Sequence, residues 1–152
     1  MEYKEKEGDL FKVDRTKYVL AHCISSDVTA TRNMNAGIAK KFRDEFPKMA
    51  AKIEPKVKLG RAIRYKRGKE IVYNLISKKN VREKVYDDPD RYYLNLRSSL
   101  RDMMFQMQLN GEKFLAMPTI SSGLDGGDWN VIREIIQDIF KDSEINILIR
   151  KL

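Results

Sequence analysis

A lysine placed directly after an apolar run is the most reactive arrangement in this chain. Lys78 follows Leu75-Ile76-Ser77, with Lys79 and Arg82 close behind. Burial and neighbouring cations both favour a neutral amine, and a neutral lysine attacks a carbonyl-like carbon to give a Schiff base. The anomeric carbon of a sugar in its open form is such a target. Asp125 is the candidate partner, as general base or general acid. A lysine in a basic loop is also an ordinary surface charge, and the residue type alone does not separate the two.

Two stretches of small residues suit phosphate. Asn35-Ala36-Gly37-Ile38 stands where a helical pattern begins. Thr119-Ile120-Ser121-Ser122-Gly123-Leu124-Asp125 lies between the apolar run Phe114 to Met117 and a helical pattern that starts near Trp129. At a helix start the backbone N–H groups have no intrahelical partner, and the helix dipole adds positive potential. Facing each other, the two stretches would cradle two linked phosphates, as in a nucleoside diphosphate. Each alone also fits a plain strand-to-helix turn. Asp9, beside Leu10 and Phe11, can accept a hydrogen bond from a base amine at one end of such a ligand. It equally suits a turn after Gly8. One cysteine, Cys23, forbids an internal disulfide, and with one histidine, His22, the chain offers no zinc cluster. No metal and no cofactor are expected.

These side chains need a scaffold. Tyr18 to Ile24 is a continuous apolar run, which reads as a buried strand of a largely parallel sheet. Tyr3 to Glu7 reads as an edge strand, and Ser25 to Asn33 as a loop. Ile38, Phe42 and Phe46 are spaced for one face of a helix that Pro47 stops. A second short helix over 49–53 follows, then a basic connection from Pro55 to Gly60. Arg61 to Ile76 reads as a hairpin turning at Arg67-Gly68-Lys69, with Ser77 to Lys84 as a polar loop after it. Asp88-Pro89 opens a helix with the apolar face Tyr93, Leu96, Leu100, Met103, Met104 and Met107, and Asn110-Gly111 ends it. Phe114 to Met117 is a strand. Asp128 caps a helix whose face is Trp129, Ile132, Ile136, Ile139 and Phe140, and Ile145 to Ile149 is the last strand. Strands and helices alternate, so the class is α/β, a mixed sheet covered by helices on both faces. The ligand crevice of such a sheet lies off the carboxyl ends of its strands. The loops 25–37, 77–84 and 119–125 all fall there.

At 152 residues the chain is the size of one domain. No run of about 18 apolar residues is present, and the charged N-terminus has no signal-peptide core, so a cytoplasmic protein without a membrane partner is expected. Net charge is +8, and it is unevenly placed. Between Lys40 and Lys69 twelve Lys/Arg face three acids, a net of +9, which leaves about −1 for the rest. That segment is a candidate contact for a polyanion such as nucleic acid or a phosphate-rich polymer, or a solvated helix face and loop.

The ordered set Gly8-Asp9-Leu10-Phe11, Leu20-Ala21-His22-Cys23-Ile24-Ser25 and Ala36-Gly37-Ile38-Ala39 resembles the N-terminal half of a macrodomain. Leu75-Ile76-Ser77-Lys78-Lys79, Tyr93-Leu94-Asn95-Leu96, Met117-Pro118 through Gly123-Leu124-Asp125, and Trp129 continue the likeness over nearly the whole chain. Within that superfamily the chain resembles the terminal ADP-ribose protein glycohydrolase group. The resemblance implies a single macrodomain over 1–152 and a three-layer α/β/α sandwich with a mixed central sheet; a monomer is expected. It implies ADP-ribose as ligand and an ADP-ribosylated macromolecule as partner. The implied reaction removes mono-ADP-ribose from acidic side chains such as glutamate, cleaving the ester at the distal ribose. Deacetylation of O-acetyl-ADP-ribose is a related ester cleavage. Lys78 would be the nucleophile and Asp125 its assistant. Asp9 would recognise adenine, with Leu10 and His22 also at the ligand, and Ser25 would lie near the distal ribose. Ala36, Gly37 and Ile38 would hold the diphosphate together with Ser121, Ser122, Gly123 and Leu124, flanked by Asn35, Thr119 and Ile120. Three features depart from the pattern. The loop after Asp27 is longer than expected, and Asn35 and Ser121 each stand where glycine is expected. A non-catalytic binding module for ADP-ribose or its polymer, and a hydrolase acting on ADP-ribosylated nucleic acid, are the rival expectations.

Overall fold

The computed structural model describes all residues, 1–152. Six strands form one sheet: β1 (Tyr3–Glu7), β2 (Val19–Ser25), β3 (Ala62–Arg67), β4 (Glu70–Lys78), β5 (Phe114–Met117) and β6 (Asn146–Lys151). Their order across the sheet is β1-β6-β5-β2-β4-β3. Only the β3–β4 hairpin is antiparallel, and every other pairing is parallel. Four helices complete the fold: α1 (Gly37–Glu45), α2 (Met49–Ile53), α3 (Pro89–Leu109) and α4 (Trp129–Phe140). No helix is long and apolar enough to cross a membrane.

Side chains alternate across a strand, so the apolar runs of β2 and β4 supply both faces of the sheet. On one face Tyr73, Leu75, Leu115 and Met117 pack with Leu96, Leu100 and Met103 of α3 and with Ile132 and Ile136 of α4. On the other face Leu20, Ile24, Val72 and Ile76 pack against Phe42 and Phe46 at α1 and against Met49 and Ile53 of α2. Each such fully buried side chain stabilises by about 1.5–3 kcal/mol. The result is the expected three-layer α/β/α sandwich with a mixed sheet.

Helix boundaries follow local chemistry. The Asp88 carboxylate accepts from Arg91 N at 3.2 Å and Pro89 occupies the first helical position, so α3 begins where its sequence says. Asp128 likewise accepts from Asn130 N at 2.9 Å at the start of α4. Two details differ from expectation. β4 runs on through Ser77 and Lys78, which are therefore strand residues rather than the first of a loop. The buried face of α3 holds Tyr92 and Ser99 beside Leu96, Leu100, Met103 and Met107, while Tyr93 and Met104 are only partly buried. Adjacent tyrosines both fit the helical spacing, and the docking angle of α3 selects the first.

His22, expected at the ligand, lies inside the α1 side of the core. It is fully buried and stacked on Phe42, with ring centroids 3.9 Å apart. Nε2 donates to Asn74 Oδ1 at 2.6 Å, across the register pair that joins β2 to β4, while Nδ1 has no partner. Burial holds this imidazole well below its usual value, at about 4. The unfolded chain takes up the proton near pH 6.5 and the folded chain only near 4. Stability is therefore complete above pH 6.5 and declines as pH falls toward 4, by about 3 kcal/mol in all. Glu5, held low by Arg133, adds its own loss only below its ordinary carboxylate range. Urea midpoints measured from pH 7 to 4.5 should fall in the native chain, and His22→Gln should flatten most of that slope.

Candidate active site

β4, β2 and β5 are neighbours, and their carboxyl ends share one edge of the sheet. A cavity of about 340 Å³ opens over that edge. Ser25 and Cys23 from β2 line it, as does Lys78 from β4. Asn35, Ala36, Gly37 and Ile38 line it from the start of α1. Thr119, Ile120, Ser121, Gly123, Leu124 and Asp125 line it from the loop after β5. The two small-residue stretches thus meet at one cavity, and both candidate catalytic side chains reach it.

Lys78 is 7% exposed, yet it is fully partnered. Its Nζ donates to Asp125 Oδ1 at 2.6 Å, to the Val81 carbonyl at 3.0 Å and to the Glu83 carbonyl at 3.4 Å. An ammonium has three hydrogens, and here each has an acceptor. The two carbonyls belong to the turn that follows β4. Buried Glu83 anchors that turn by accepting from Lys79 N at 2.9 Å and by pairing with Arg91 at 3.4 Å.

The second oxygen of Asp125 accepts from Tyr92, a residue the sequence did not single out. The Tyr92 hydroxyl is fully buried and also lies 2.7 Å from Ser121 Oγ. A tyrosine has one hydroxyl proton, and a carboxylate can only accept. The Tyr92 proton therefore goes to Asp125, and Ser121 donates to the Tyr92 oxygen. Burial and the neighbouring carboxylate push Tyr92 far above the ordinary phenol range, so it stays a donor. Cys23 beside them is pushed up to about 12 by burial, which keeps it a neutral thiol.

The departures from the expected glycines have local answers. Ser121 has φ +61°, the left-handed conformation that glycine adopts freely. Asn35 points its Oδ1 at the guanidinium of Arg43 in the last turn of α1. The longer loop after Asp27 carries a second left-handed residue, Asn33, whose Nδ2 donates to the Asp27 carbonyl at 2.7 Å. Ser25 Oγ donates to Asp27 Oδ1 at 2.5 Å, which ties the same loop to the end of β2. Leu124, largely exposed, reaches over Gly37 so closely that a methyl added there would sit 3.3 Å from its Cδ1. The two cradle loops therefore touch.

Four expected site residues do not line the cavity. The Asp9 carboxylate accepts from Phe11 N at 2.9 Å and caps a single helical turn at the end of β1. Leu10 is fully buried in the core on the α1 side, as is His22. The Ser122 hydroxyl donates to the Thr119 carbonyl at 2.6 Å and so braces its own loop. No group of three or more His, Cys, Asp or Glu is placed to hold a metal ion.

With this geometry in hand, comparison with known proteins is informative. No protein-family model matches the chain. In fold it is similar to the macrodomain of Thermus aquaticus DarG (TM-score 0.77, 18% identity, 99% of this chain and 98% of that one). It is also similar to Thermosipho africanus DarTG, solved in complex with ADP-ribose (TM-score 0.80, 17% identity, 99% of this chain and 42% of that one). The architecture is that of a macrodomain. In sequence it is 35% identical over 146 residues to the bovine ADP-ribose glycohydrolase OARD1 (96% of this chain, 89% of the relative). It is 34% identical over the same length to the human protein of that name. The chain belongs to the macrodomains of the ADP-ribose glycohydrolase type.

Gly127 shows how tightly the loop after β5 is folded. A Cβ at this position would stand 2.6 Å from the Ser121 carbonyl oxygen, which already accepts from Gly127 N at 2.8 Å. Backbone cannot yield there as a flexible side chain would. Gly127→Ala should lower stability by about 2 kcal/mol, a fall of roughly 4–8 °C in the thermal midpoint.

Proposed function

We propose that this protein is an ADP-ribosyl hydrolase that releases mono-ADP-ribose from acidic side chains, with Lys78 as nucleophile and Asp125 as its proton acceptor. The observation that carries the proposal is the 2.6 Å contact between Lys78 Nζ and Asp125 Oδ1 at a cavity flanked by two small-residue loops. Kinship with relatives named ADP-ribose glycohydrolases supports the substrate class. The start of α1 and the loop 119–124 offer backbone amides to a diphosphate, and Ser25 would stand by the distal ribose. Asp9 would meet adenine at the far end of the ligand once its capping bond is shared or exchanged.

The chemistry balances with the groups present. Nζ gives one proton to Asp125, and its lone pair attacks the anomeric carbon of the distal ribose. A C–N bond forms, the C–O bond to the acyl oxygen breaks, and the substrate carboxylate leaves with the bonding pair and takes the proton that Asp125 was holding, which returns Asp125 to its ionised form. Asp125 then takes a proton from water as that water adds to the same carbon. The C–N bond breaks, free ADP-ribose departs, and the amine recovers its proton. Cleavage of O-acetyl-ADP-ribose would follow the same course, with acetate as the leaving group.

A polyanion contact through segment 40–69 has specific support. Lys40, Arg61, Arg64 and Arg67 are committed to ion pairs with Asp44, Asp102, Glu112 and Glu70. Lys41, Lys48, Lys52, Lys56, Lys58, Lys66 and Lys69 enter none. Binding of single-stranded nucleic acid or poly-ADP-ribose through these lysines should weaken steeply with salt, by about tenfold or more between 50 and 200 mM. An affinity that does not change with salt would remove this contact.

The principal test follows ADP-ribose release from a glutamate-linked ADP-ribosylated protein. Lys78→Ala should reduce the rate at least about a hundredfold, and Asp125→Asn by a similar order. Undiminished release by Lys78→Ala would exclude the lysine mechanism. Tight binding of ADP-ribose by the native chain, with no release from any linkage, would make it a binding module.

A further inference from the structure

We infer that Tyr92 is the positioning residue for Asp125 and that Ser121 sets the direction of its proton. This role rests on the hydrolase proposed above and adds to it a residue that never touches substrate.

Tyr92 sits in the first turn of α3, fully buried, and is not part of the cavity wall. Its ring packs in the core on the α3–α4 side of the sheet, where a phenylalanine would fill the same volume. A buried hydroxyl is costly unless it is hydrogen-bonded. This one has its bonds: the Asp125 carboxylate on one side and Ser121 Oγ at 2.7 Å on the other. Asp125 is therefore gripped at both oxygens, by Lys78 at Oδ1 and by Tyr92 at Oδ2. The loop that carries Asp125 has no helix or strand of its own to fix the carboxylate plane, and α3 supplies that through Tyr92.

Ser121 is the second, independent observation. A glycine would adopt its φ of +61° at no cost, whereas serine is strained there by about 1 kcal/mol. The serine places its hydroxyl at Tyr92, and its proton has two available acceptors, the Tyr92 oxygen and Cys23 Sγ at 3.6 Å. Donation to Tyr92 fills an acceptor position on the phenol oxygen and leaves its single proton for Asp125. The chain Ser121 to Tyr92 to Asp125 to Lys78 thus runs from the left-handed turn to the nucleophile.

The groups facing this chain are few. Lys78 and Asp125 are its charged members, buried Glu83 in the turn after β4 and Lys84 on the cavity wall are the charged groups nearby, and Cys23 and Ser77 are neutral polar neighbours, with Ser77 Oγ 3.5 Å from the phenol. Without the phenol, Asp125 Oδ2 has no donor and the carboxylate plane is free to rotate away from Lys78. An Asp125 turned away cannot accept from Lys78, while ligand binding, which uses other residues, continues.

The test compares native chain, Tyr92→Phe and Ser121→Gly in steady-state release of ADP-ribose from the glutamate-linked substrate, from pH 5 to 9. Tyr92→Phe should lower kcat about ten- to a hundredfold with KM changed less than about twofold. Ser121→Gly relieves the backbone and removes only the donor, so its kcat should fall about two- to tenfold in the same direction. A folded Tyr92→Phe with kcat unchanged across this pH range, or one affected in KM alone, would overturn the role while leaving the hydrolase intact. Absence of release by the native chain would instead overturn the hydrolase and this role together. Should Tyr92→Phe lose its thermal transition, Ser121→Gly decides: an unaltered profile there overturns the role of the pair.

Discussion

Three parallel strands, β4, β2 and β5, lie side by side and finish on one edge of the sheet. A lysine at the end of β4 and an aspartate in the loop after β5 are 47 residues apart in sequence, and this alignment brings them to 2.6 Å. Had β4 run antiparallel to β2, Lys78 would sit at the opposite edge. The hairpin with β3 fixes β4 on its other side, and the buried bond from His22 to Asn74 holds the register between β2 and β4. Both core clusters serve the same end, since α3 and α4 press on one face and α1 and α2 on the other.

A buried ion pair is a poor source of stability, because the cost of removing two charges from water offsets most of their attraction. Here that cost is met by completing every hydrogen bond. Lys78 has three acceptors and Asp125 has a donor on each oxygen. The members of the site are consequently interdependent: removing one leaves another buried group without its bond. This also explains why the turn after β4 is held so firmly by buried Glu83, since that turn supplies two of the three acceptors.

Much of this was legible in the sequence, for reasons that differ by element. The apolar runs of β2, β4 and β5 announce buried strands because side chains on both faces must be apolar. Asp88-Pro89 and Asp128 mark helix starts because their chemistry is local. The meeting of the two small-residue loops followed from the general rule for α/β sheets. Other features depend on information that no local pattern carries. Tyr92 and Tyr93 both satisfy helical spacing, and only the docking of α3 decides between them. Its hydroxyl reaches Asp125 through tertiary packing alone. The left-handed turn at Ser121 is hidden because serine gives no signal of positive φ, although its place where glycine was expected was the clue. His22 and Leu10, expected at the ligand, fill the core, and Asp9 is engaged in capping its own turn. A polar or acidic residue next to an apolar run does not reveal which side of the backbone it faces.

The strain at Ser121 also ties one loop to a distant helix. Taken alone, the segment around it prefers a right-handed turn, because the left-handed one costs a serine about 1 kcal/mol. The compensating bond comes from a tyrosine on α3, which must first be helical and docked on the sheet. The shape of the loop after β5 is therefore conditional on α3: where that helix is loosened, the turn at Ser121 loses the bond that offsets its strain.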